Sequence, residues 1–288
     1  MPDDCNNERR ALLLGVAGLL VAGPGWAADL EDASFREIEK RGGGRLGVAV
    51  LDTGTGRKFA YRGGERFAMC STFKFLLVAC VLHRVDAGKE NLDREIAFGQ
   101  SDMEDYAPTA AKHLTSGHMR LRELCEAAIV WSDNTAANLL LREIGGPKGW
   151  TDFARTLGDP LSRLDRTEPT LNTAIPGDKH DTTTPNAMLG DMHAVLFDPH
   201  PSVDLLKGWM IDCQTAFTKL CAGLPSTWRV GNKTGMGDNG TTNDIAILWP
   251  PKSAPILVTS YYTGSQAPAK ARDAVHSEVG KLIGAAFG

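Results

Sequence analysis

The chain lacks the features that mark several common classes of protein. It contains no internal repeat, no low-complexity tract and no clustered run of Lys or Arg. Its formal net charge is −4, which gives no electrostatic basis for binding nucleic acid. Its Cys and His residues show no spacing typical of metal ligands, and we predict neither a metal nor another cofactor. These absences favour a small-molecule substrate.

The N-terminal region also lacks an apolar run long enough to cross a bilayer. Paired arginines precede the apolar segment 11–22, which is shorter than the roughly 20 residues of a membrane span. Small residues follow it, so we interpret residues 1–27 as a signal peptide and 28–288 as a single domain. The protein is therefore expected to be periplasmic or secreted, without stable membrane association. The general secretory and twin-arginine routes both remain open.

The cysteines of the mature chain cannot all pair with one another. Loss of Cys5 with the signal peptide leaves an odd number, namely Cys70, Cys80, Cys125, Cys213 and Cys221. At least one of them must be unpaired or bonded to something outside the chain.

Secondary-structure signals place strands towards both ends of the chain and helices between them. We expect a helix near 29–40, a hairpin of 45–52 with 57–61, strands at 244–249 and 255–262, and a final helix at 269–287. Helical patterns dominate from residue 71 to about residue 212. The sheet is therefore predicted to draw on both chain ends, with a helical region inserted between them.

What the chain does contain is a set of short polar motifs in a fixed order. These are S-x-x-K, S-D-N, E-P-x-x-N and K-T-G, which begin at Ser71, Ser132, Glu168 and Lys233. The first lies in an apolar run without Gly or Pro, which predicts a helix with Ser71 and Lys74 on one face. A lysine desolvated by apolar neighbours has a lowered pKa and can take a proton from a serine nucleophile. The motifs therefore predict an acyl-transfer site, with the N–H of Ser71 as one oxyanion donor.

Together the motifs resemble those of the class A β-lactamases, from about residue 45 to the C-terminus. The resemblance implies an α/β (α+β) fold, in which an antiparallel sheet is layered with helices beside an inserted all-α subdomain. The α/β part would be about 28–66 and 213–288, and the all-α part about 67–212. It also implies a monomer that hydrolyses the β-lactam ring of penicillins and related antibiotics through a serine acyl-enzyme, without a cofactor, and so confers antibiotic resistance.

The resemblance further implies a role for most motif residues. Ser132 would pass a proton to the β-lactam nitrogen as the ring opens, and Asn134 would bind the amide of the substrate side chain. Glu168 and Asn172 would hold and deprotonate the hydrolytic water, as suits a carboxylate partly removed from solvent. Asp133 would be structural.

The K-T-G motif would serve the substrate carboxylate. Lys233 and Thr234 would bind it, while Gly235 would let the substrate approach the backbone. The N–H of Met236 would be the second oxyanion donor, and Tyr106 would contact the substrate. Family members also close the loop around Glu168 with a salt bridge between the positions of Arg166 and Asp181, and carry a cis peptide before Pro169.

Some positions depart from the family pattern. Thr242 stands where penicillinase-like members often place an Arg, and Lys219 aligns with a site of a compensating Arg. Lys219 therefore either binds the substrate carboxylate or is a solvated surface residue. Met236 replaces a small residue of the family, so the sequence does not predict whether the enzyme also hydrolyses cephalosporins and carbapenems.

The family disulfides are incomplete here. Cys125 occupies the usual position before S-D-N, but Cys80 lies two residues beyond its usual partner position. Some family members link the residue before the nucleophile to the second residue after K-T-G by a disulfide. Here these residues are Cys70 and Gly237, so that disulfide cannot form.

Two other functions share part of this motif set. One is a low-activity D,D-peptidase or penicillin-binding protein, and the other is a non-catalytic sensor domain that is acylated by penicillin. Both would lack a base for deacylation, so Glu168 and Asn172 argue against them.

Overall fold

The computed structural model describes residues 30–288, so the predicted signal peptide, 1–27, lies outside the described residues. The helices are α1 Asp32–Gly42, α2 Phe73–Asp86, α3 Leu121–Val130, α4 Asn134–Ile144, α5 Gly146–Thr156, α6 Pro185–Phe197, α7 Val203–Ile211, α8 Leu220–Gly223 and α9 Ala269–Phe287. The strands are β1 Arg45–Asp52, β2 Lys58–Tyr61, β3 Phe67–Ala68, β4 Glu95–Ala97, β5 His118–Arg120, β6 Thr182–Thr183, β7 Arg229–Gly237, β8 Thr241–Trp249 and β9 Ile256–Thr263. Short 3₁₀ turns lie at Cys70–Thr72, Gln100–Asp102, Ala110–His113 and Thr170–Asn172.

An antiparallel sheet with the strand order β2-β1-β9-β8-β7 forms the frame of the molecule. The predicted hairpin is confirmed, with Val48 of β1 opposite Tyr61 of β2. On its other side β1 pairs with β9, where Val48 lies opposite Ser260. The sheet therefore draws on both chain ends, as the sequence predicts, and leaves β7 as an edge strand.

Helices cover both faces of this sheet, which explains why its central strands are buried on both sides. Towards α1 and α9, the core includes Phe35, Val48, Val258 and Ile283. The opposite face belongs to a larger core that continues into the helical region between β3 and β7. In particular, α6 packs on the sheet, since Thr259 Oγ1 donates to the Pro185 carbonyl at 3.0 Å.

Helix α2 lies at the centre of the helical region. Apart from Lys74, the stretch from Phe73 to Leu82 is apolar, as expected for a helix surrounded by other elements, and every residue in it is buried. Trp150 of α5 donates its indole N–H to the Phe73 carbonyl at 2.9 Å and so fixes the start of the helix. Basic residues in the last turn suit the partial negative charge of a helix C-terminus. The burial of α2 takes Lys74 out of water.

The predicted elements are found with shifted ends. Helix α1 runs from Asp32 to Gly42, and β8 begins at Thr241, before the predicted start at residue 244. The extension of β8 is polar in sequence but pairs with β7, where Thr241 lies opposite Gly237. The division into an α/β part and an all-α part at residues 66 and 213 stays a prediction.

Two further observations concern residues 30–288 only. No helix in this range is both long and apolar enough to cross a membrane. All five cysteines in it are free thiols: Cys70, Cys80, Cys125, Cys213 and Cys221.

Candidate active site

The four motifs meet in one cleft between the edge strand β7 and the helical region. The side chains and backbone that line it come from Ser71, Tyr106, Ser132, Asn134, Asn172, Thr215, Lys219, Thr234, Gly235, Met236, Gly237, Asp238 and Asp273. Lys74, Glu168 and Lys233 are buried beside this lining. The structure thus brings all the predicted site residues together.

Ser71 lies in the 3₁₀ turn that leads into α2, rather than in the α-helix itself. Its Oγ donates to Glu168 Oε1 at 3.3 Å. Lys74 Nζ lies 2.9 Å from the same oxygen and is fully buried. One carboxylate oxygen therefore contacts both the candidate nucleophile and the candidate base.

The ammonium of Lys74 is held by two further acceptors. It donates to the Ser132 carbonyl at 2.7 Å and to Asn134 Oδ1 at 2.6 Å. Burial lowers the pKa of Lys74, although the charge of Glu168 opposes the shift. Burial, together with the charge of Lys74, also lowers the pKa of Lys233, to about 7. The site therefore lowers the cost of a neutral lysine, which a proton acceptor requires.

The backbone is strained at Cys70, the residue before Ser71, and at Ser132 itself. Cys70 has a φ of 44° and Ser132 a φ of 60°, a region that non-glycine residues seldom adopt. The turn that precedes Ser71 is held by Thr72 Oγ1, which donates to the Met69 carbonyl at 2.7 Å. Asn243 Nδ2 donates to the same carbonyl at 3.0 Å. These bonds fix where the Ser71 side chain enters the cleft.

The S-D-N motif both caps a helix and lines the cleft. Asp133 is the N-cap of α4, and its Oδ1 accepts the Ala136 N–H at 2.9 Å. Its Oδ2 accepts two more backbone N–H groups, from Thr109 and Ala110, each at 2.9 Å. The N–H of Asn134 donates to the Tyr106 carbonyl at 2.9 Å. Asp133 therefore holds the segment that carries Tyr106 at the cleft wall.

The loop around Glu168 is fixed from both sides. Asn138 of α4 accepts the Glu168 N–H and donates to the Glu168 carbonyl, each at 3.0 Å. Asn172 Nδ2 donates to Glu168 Oε2 at 2.5 Å. The Glu168–Pro169 peptide is cis, as the sequence predicts. The Glu168 carboxylate is therefore held by the protein at each oxygen, with Oε1 turned towards Ser71.

The predicted salt bridge that closes this loop is confirmed. Arg166 Nε lies 2.5 Å from Asp181 Oδ2, and the Asp181 carboxylate is fully buried. Asp181 Oδ1 also accepts the backbone N–H groups of Asp165 and Arg166, at 2.7 and 2.9 Å. The two ends of the loop are thereby tied together.

The K-T-G motif lies on β7 with its lysine fully buried. Lys233 Nζ donates to Ser132 Oγ at 3.0 Å and to the Thr234 carbonyl at 2.8 Å. The Thr234 hydroxyl lies 2.5 Å from that of Thr215. The glycine has a packing reason, since a Cβ at Gly235 would lie 2.9 Å from the Met69 carbonyl. This close approach sets β7 against the turn that carries Ser71.

Lys219 is buried, so the interpretation of this residue as solvated surface is wrong. Only 2% of it is exposed. Its Nζ forms an ion pair with Asp273 of α9 and donates to Thr242 Oγ1 at 2.6 Å. Burial by itself would raise the pKa of Asp273, but the bonds from Lys219 and Thr218 lower it below its ordinary value. Whether Lys219 contacts a substrate carboxylate stays a prediction.

Three polar residues of the site were not predicted from the sequence. They are Asn138, which holds Glu168, Thr215, which contacts Thr234, and Asp273, which pairs with Lys219. None belongs to a motif, and each reaches its partner only through tertiary packing. No sequence signal singled them out. In residues 30–288 no group of His, Cys, Asp and Glu is arranged to hold a metal ion.

Comparison with known proteins gives consistent matches over most of the chain. A family model described as the β-lactamase enzyme family matches residues 30–287. β-Lactamase OXY-2 of Klebsiella oxytoca is 44% identical over 276 residues, which cover 94% of this chain and 95% of the relative. β-Lactamase CTX-M-97 of Escherichia coli is 45% identical over 249 residues, 85% of each chain. A solved ancestral class A β-lactamase superposes with a TM-score of 0.87 at 57% identity, covering 89% of this chain and 99% of that one.

Proposed function

The chain belongs to the β-lactamase enzyme family as a class A enzyme, and we propose how its residues open the β-lactam ring. It hydrolyses β-lactams and thereby confers antibiotic resistance, and the relatives that it matches are named β-lactamases. We propose a role for each motif residue in this reaction. The observation that carries these roles is the Glu168 carboxylate, which contacts Ser71, Lys74 and Asn172.

In the acylation step, Ser71 Oγ attacks the β-lactam carbonyl carbon and loses its proton to the Lys74–Glu168 pair. The 3.3 Å bond from Ser71 Oγ to Glu168 Oε1 and the 2.9 Å contact of Lys74 with that oxygen support this path. The negative charge on the carbonyl oxygen is received by the N–H groups of Ser71 and Met236. Each such donor contributes on the order of 3 kcal/mol to the transition state.

As the carbon–nitrogen bond breaks, the leaving nitrogen takes a proton from Ser132. The Ser132 hydroxyl accepts a hydrogen bond from Lys233 Nζ at 3.0 Å, so its own proton is free to be donated. Lys74 and Lys233 approach Ser132 from its backbone carbonyl and its hydroxyl, respectively. Their lowered pKa values suit the return of a proton to this serine.

In the deacylation step, Glu168 takes a proton from water, which attacks the acyl carbon. The bond from that carbon to Ser71 Oγ then breaks, and Ser71 Oγ takes the proton from Glu168, whose Oε1 lies 3.3 Å away. Asn172 Nδ2 holds one carboxylate oxygen of Glu168. Asn172 Oδ1 is buried without a hydrogen-bond partner in the described part of the chain. A buried acceptor of this kind is costly unless a ligand satisfies it. Asn172 Oδ1 and Glu168 are therefore the groups that we expect to orient the water.

The substrate carboxylate binds at the end of the cleft where Thr234 and Lys219 line the wall. Lys233 adds positive charge behind Thr234. Asn134 binds the amide of the acyl side chain, and Tyr106, which is 49% exposed, packs against it. Charge-assisted bonds are stronger than neutral ones, which favours penicillins and other β-lactams that carry a carboxylate.

We propose the domain organisation, oligomeric state and location of the enzyme from its sequence and its family. Residues 28–288 act as a single catalytic domain and a monomer, released from the membrane after the signal peptide, 1–27, is removed. The enzyme then works in the periplasm or outside the cell, with a small-molecule substrate and no nucleic acid partner.

Hydrolysis of benzylpenicillin by the purified protein tests this assignment. The wild type should turn over many equivalents, while Ser71→Ala should show neither turnover nor a covalent adduct by intact-mass spectrometry. A matched control is Ser116→Ala, which changes an exposed serine. Hydrolysis above background in Ser71→Ala would place the nucleophile elsewhere.

Fractionation of cells that produce the full chain tests export. The activity should be found outside the cytoplasm, and the mass of the mature protein should correspond to a chain that begins near residue 28.

A further inference from the structure

A buried carboxylate lies behind the K-T-G strand and belongs to none of the four motifs. Asp244 of β8 lies opposite Thr234 of β7 and is fully buried. Burial raises its pKa to about 7, although a bond from Asn232 and the charge of Lys219 oppose the shift. A buried carboxylate costs free energy unless its partners satisfy it. Its partners therefore indicate what it does.

The hydrogen bonds of Asp244 join the two chain segments that carry the lysines of the cleft. Its Oδ2 accepts the N–H of Leu220, the residue after Lys219, at 3.1 Å. Its Oδ1 accepts Nδ2 of Asn232, the residue before Lys233, at 2.8 Å. One carboxylate thus holds the immediate neighbours of both cations.

The two lysines approach the cleft from opposite faces of the sheet. Successive residues of a strand point to opposite faces, and Lys233 pairs across from Ile245, so it points away from the face of Asp244. Lys219 reaches the other face, where its Nζ donates to Thr242 Oγ1 at 2.6 Å. Thr242 and Asp244 share that face because they lie two residues apart on β8. The spacing of the two cations therefore depends on how the segment at Lys219 is held against the sheet.

The side chain of Lys219 is a poor anchor for this purpose. Its Nζ is shared between Asp273 and Thr242, and a bound carboxylate would compete for the same ammonium. The backbone bond from Leu220 to Asp244 is independent of that competition. It keeps the segment in place whether or not substrate is bound.

We infer that Asp244 is a positioning residue for recognition of the substrate carboxylate, because it holds Leu220 and Asn232 and so sets the position of Lys219 relative to Lys233. The inference rests on the carboxylate-binding role proposed above for the two lysines. Asp244 touches no substrate atom in this account, so its effect should depend on whether the substrate has a carboxylate.

The test compares benzylpenicillin with its neutral methyl ester. In Asp244→Asn the side chain keeps its shape but loses its charge and one acceptor. The preference for acid over ester, measured as the ratio of the two kcat/KM values, should fall about tenfold, mainly through the acid. The exchange variant Asn232→Asp with Asp244→Asn rebuilds the bond with the roles reversed and leaves an amide oxygen for Leu220. It should return the ratio to within about threefold of the wild type.

Asp191→Asn is the matched control, because Asp191 is another buried carboxylate and lies away from the cleft. Its acid-to-ester ratio should equal that of the wild type. Equal losses for acid and ester in Asp244→Asn would overturn the inference and make Asp244 a structural residue only. If Asp244→Asn does not fold, Asn232→Ala removes the bond from β7 to Asp244, together with the bond that Asn232 Oδ1 accepts from Cys221 Sγ at 3.1 Å. An unchanged ratio in that variant overturns the inference as well.

The wild type separates this inference from the proposed function. A wild-type protein that does not prefer the acid over the ester contradicts the carboxylate-binding role of the two lysines. If the wild type prefers the acid and Asp244→Asn shows the same preference, only the positioning role of Asp244 is contradicted.

Discussion

Replacing Lys219 by Ala removes a buried cation that is already paired with a carboxylate of the protein. The side chain of Lys219 is 3% exposed and that of its partner Asp273 is 16% exposed. Both residues line the cleft beside Thr234. Without Lys219, Asp273 would remain at the cleft wall as an uncompensated negative charge. The substitution therefore removes an attraction for the substrate carboxylate and leaves a repulsion in its place.

The expected size of the effect follows from these two terms. A hydrogen bond to a charged group contributes about 1.5–3 kcal/mol, or about a tenfold to hundredfold change in kcat/KM. Like charges about 4 Å apart interact with about 4 kcal/mol at an effective dielectric constant near 20, and solvent at the mouth of the cleft reduces this. Lys219→Ala should therefore fall at the hundredfold end of that range for benzylpenicillin. Adding Asp273→Asn removes the repulsion and should recover about tenfold.

A double-mutant cycle measures both terms. Steady-state kinetics with benzylpenicillin would compare the wild type, Lys219→Ala, Asp273→Asn and the double variant, with exposed Lys148→Ala as the control for loss of a positive charge. Thr242→Arg in the Lys219→Ala chain places a guanidinium beside Asp273 and should also recover part of the loss. An unchanged kcat/KM in Lys219→Ala would mean that Lys233 and Thr234 hold the carboxylate alone. A double variant with the same kcat/KM as Lys219→Ala would refute the repulsion from Asp273.

Three further outcomes are expected. Asp133→Ala removes the cap of α4 and leaves two other N–H groups without their acceptor. It should therefore lower the free energy of unfolding, measured by urea titration, by about 2–4 kcal/mol. A loss below about 0.5 kcal/mol would contradict the capping role. Asn138→Ala frees the Glu168 backbone and should slow deacylation more than acylation in pre-steady-state kinetics, whereas equal slowing of both would contradict this. Burial, followed by the charge of Asp159, raises the pKa of Asp191 to about 9, so stability falls as pH rises from about 4 towards 9. Asp191→Asn should therefore raise Tm by several degrees more near pH 8 than near pH 5, and an equal change at both values would contradict the ionisation.

The parts of the fold that the sequence predicts are those with a local cause. The hairpin of β1 and β2 follows from two apolar runs around a short turn, and the final helix from a long periodic segment. The salt bridge of Arg166 with Asp181 and the cis Glu168–Pro169 peptide are expected from the resemblance to the family. In each case the interacting residues lie close in sequence or within one recognised pattern.

The parts that could not be predicted depend on contacts between distant segments. The ion pair of Lys219 with Asp273 joins residues 54 apart, and the bonds of Asn138 to Glu168 join residues 30 apart. A lone Lys in a loop reads as solvated unless the packing of α9 beside it is known. Ser71 differs from its prediction on a smaller scale, since it lies in a 3₁₀ turn before α2. The close approach of Gly235 to the Met69 carbonyl accompanies this tight turn.

Intact-mass spectrometry of Glu168→Gln with benzylpenicillin tests whether Glu168 is the base that activates water in deacylation. The amide keeps the shape of the side chain and its contact with Asn172 but cannot take a proton from water. A covalent penicilloyl adduct on Ser71 should accumulate and persist for minutes or longer, while the wild type under the same conditions returns to the mass of the free enzyme. Turnover of benzylpenicillin by Glu168→Gln at the wild-type rate, with no adduct detected, would mean that Glu168 is not the base for deacylation.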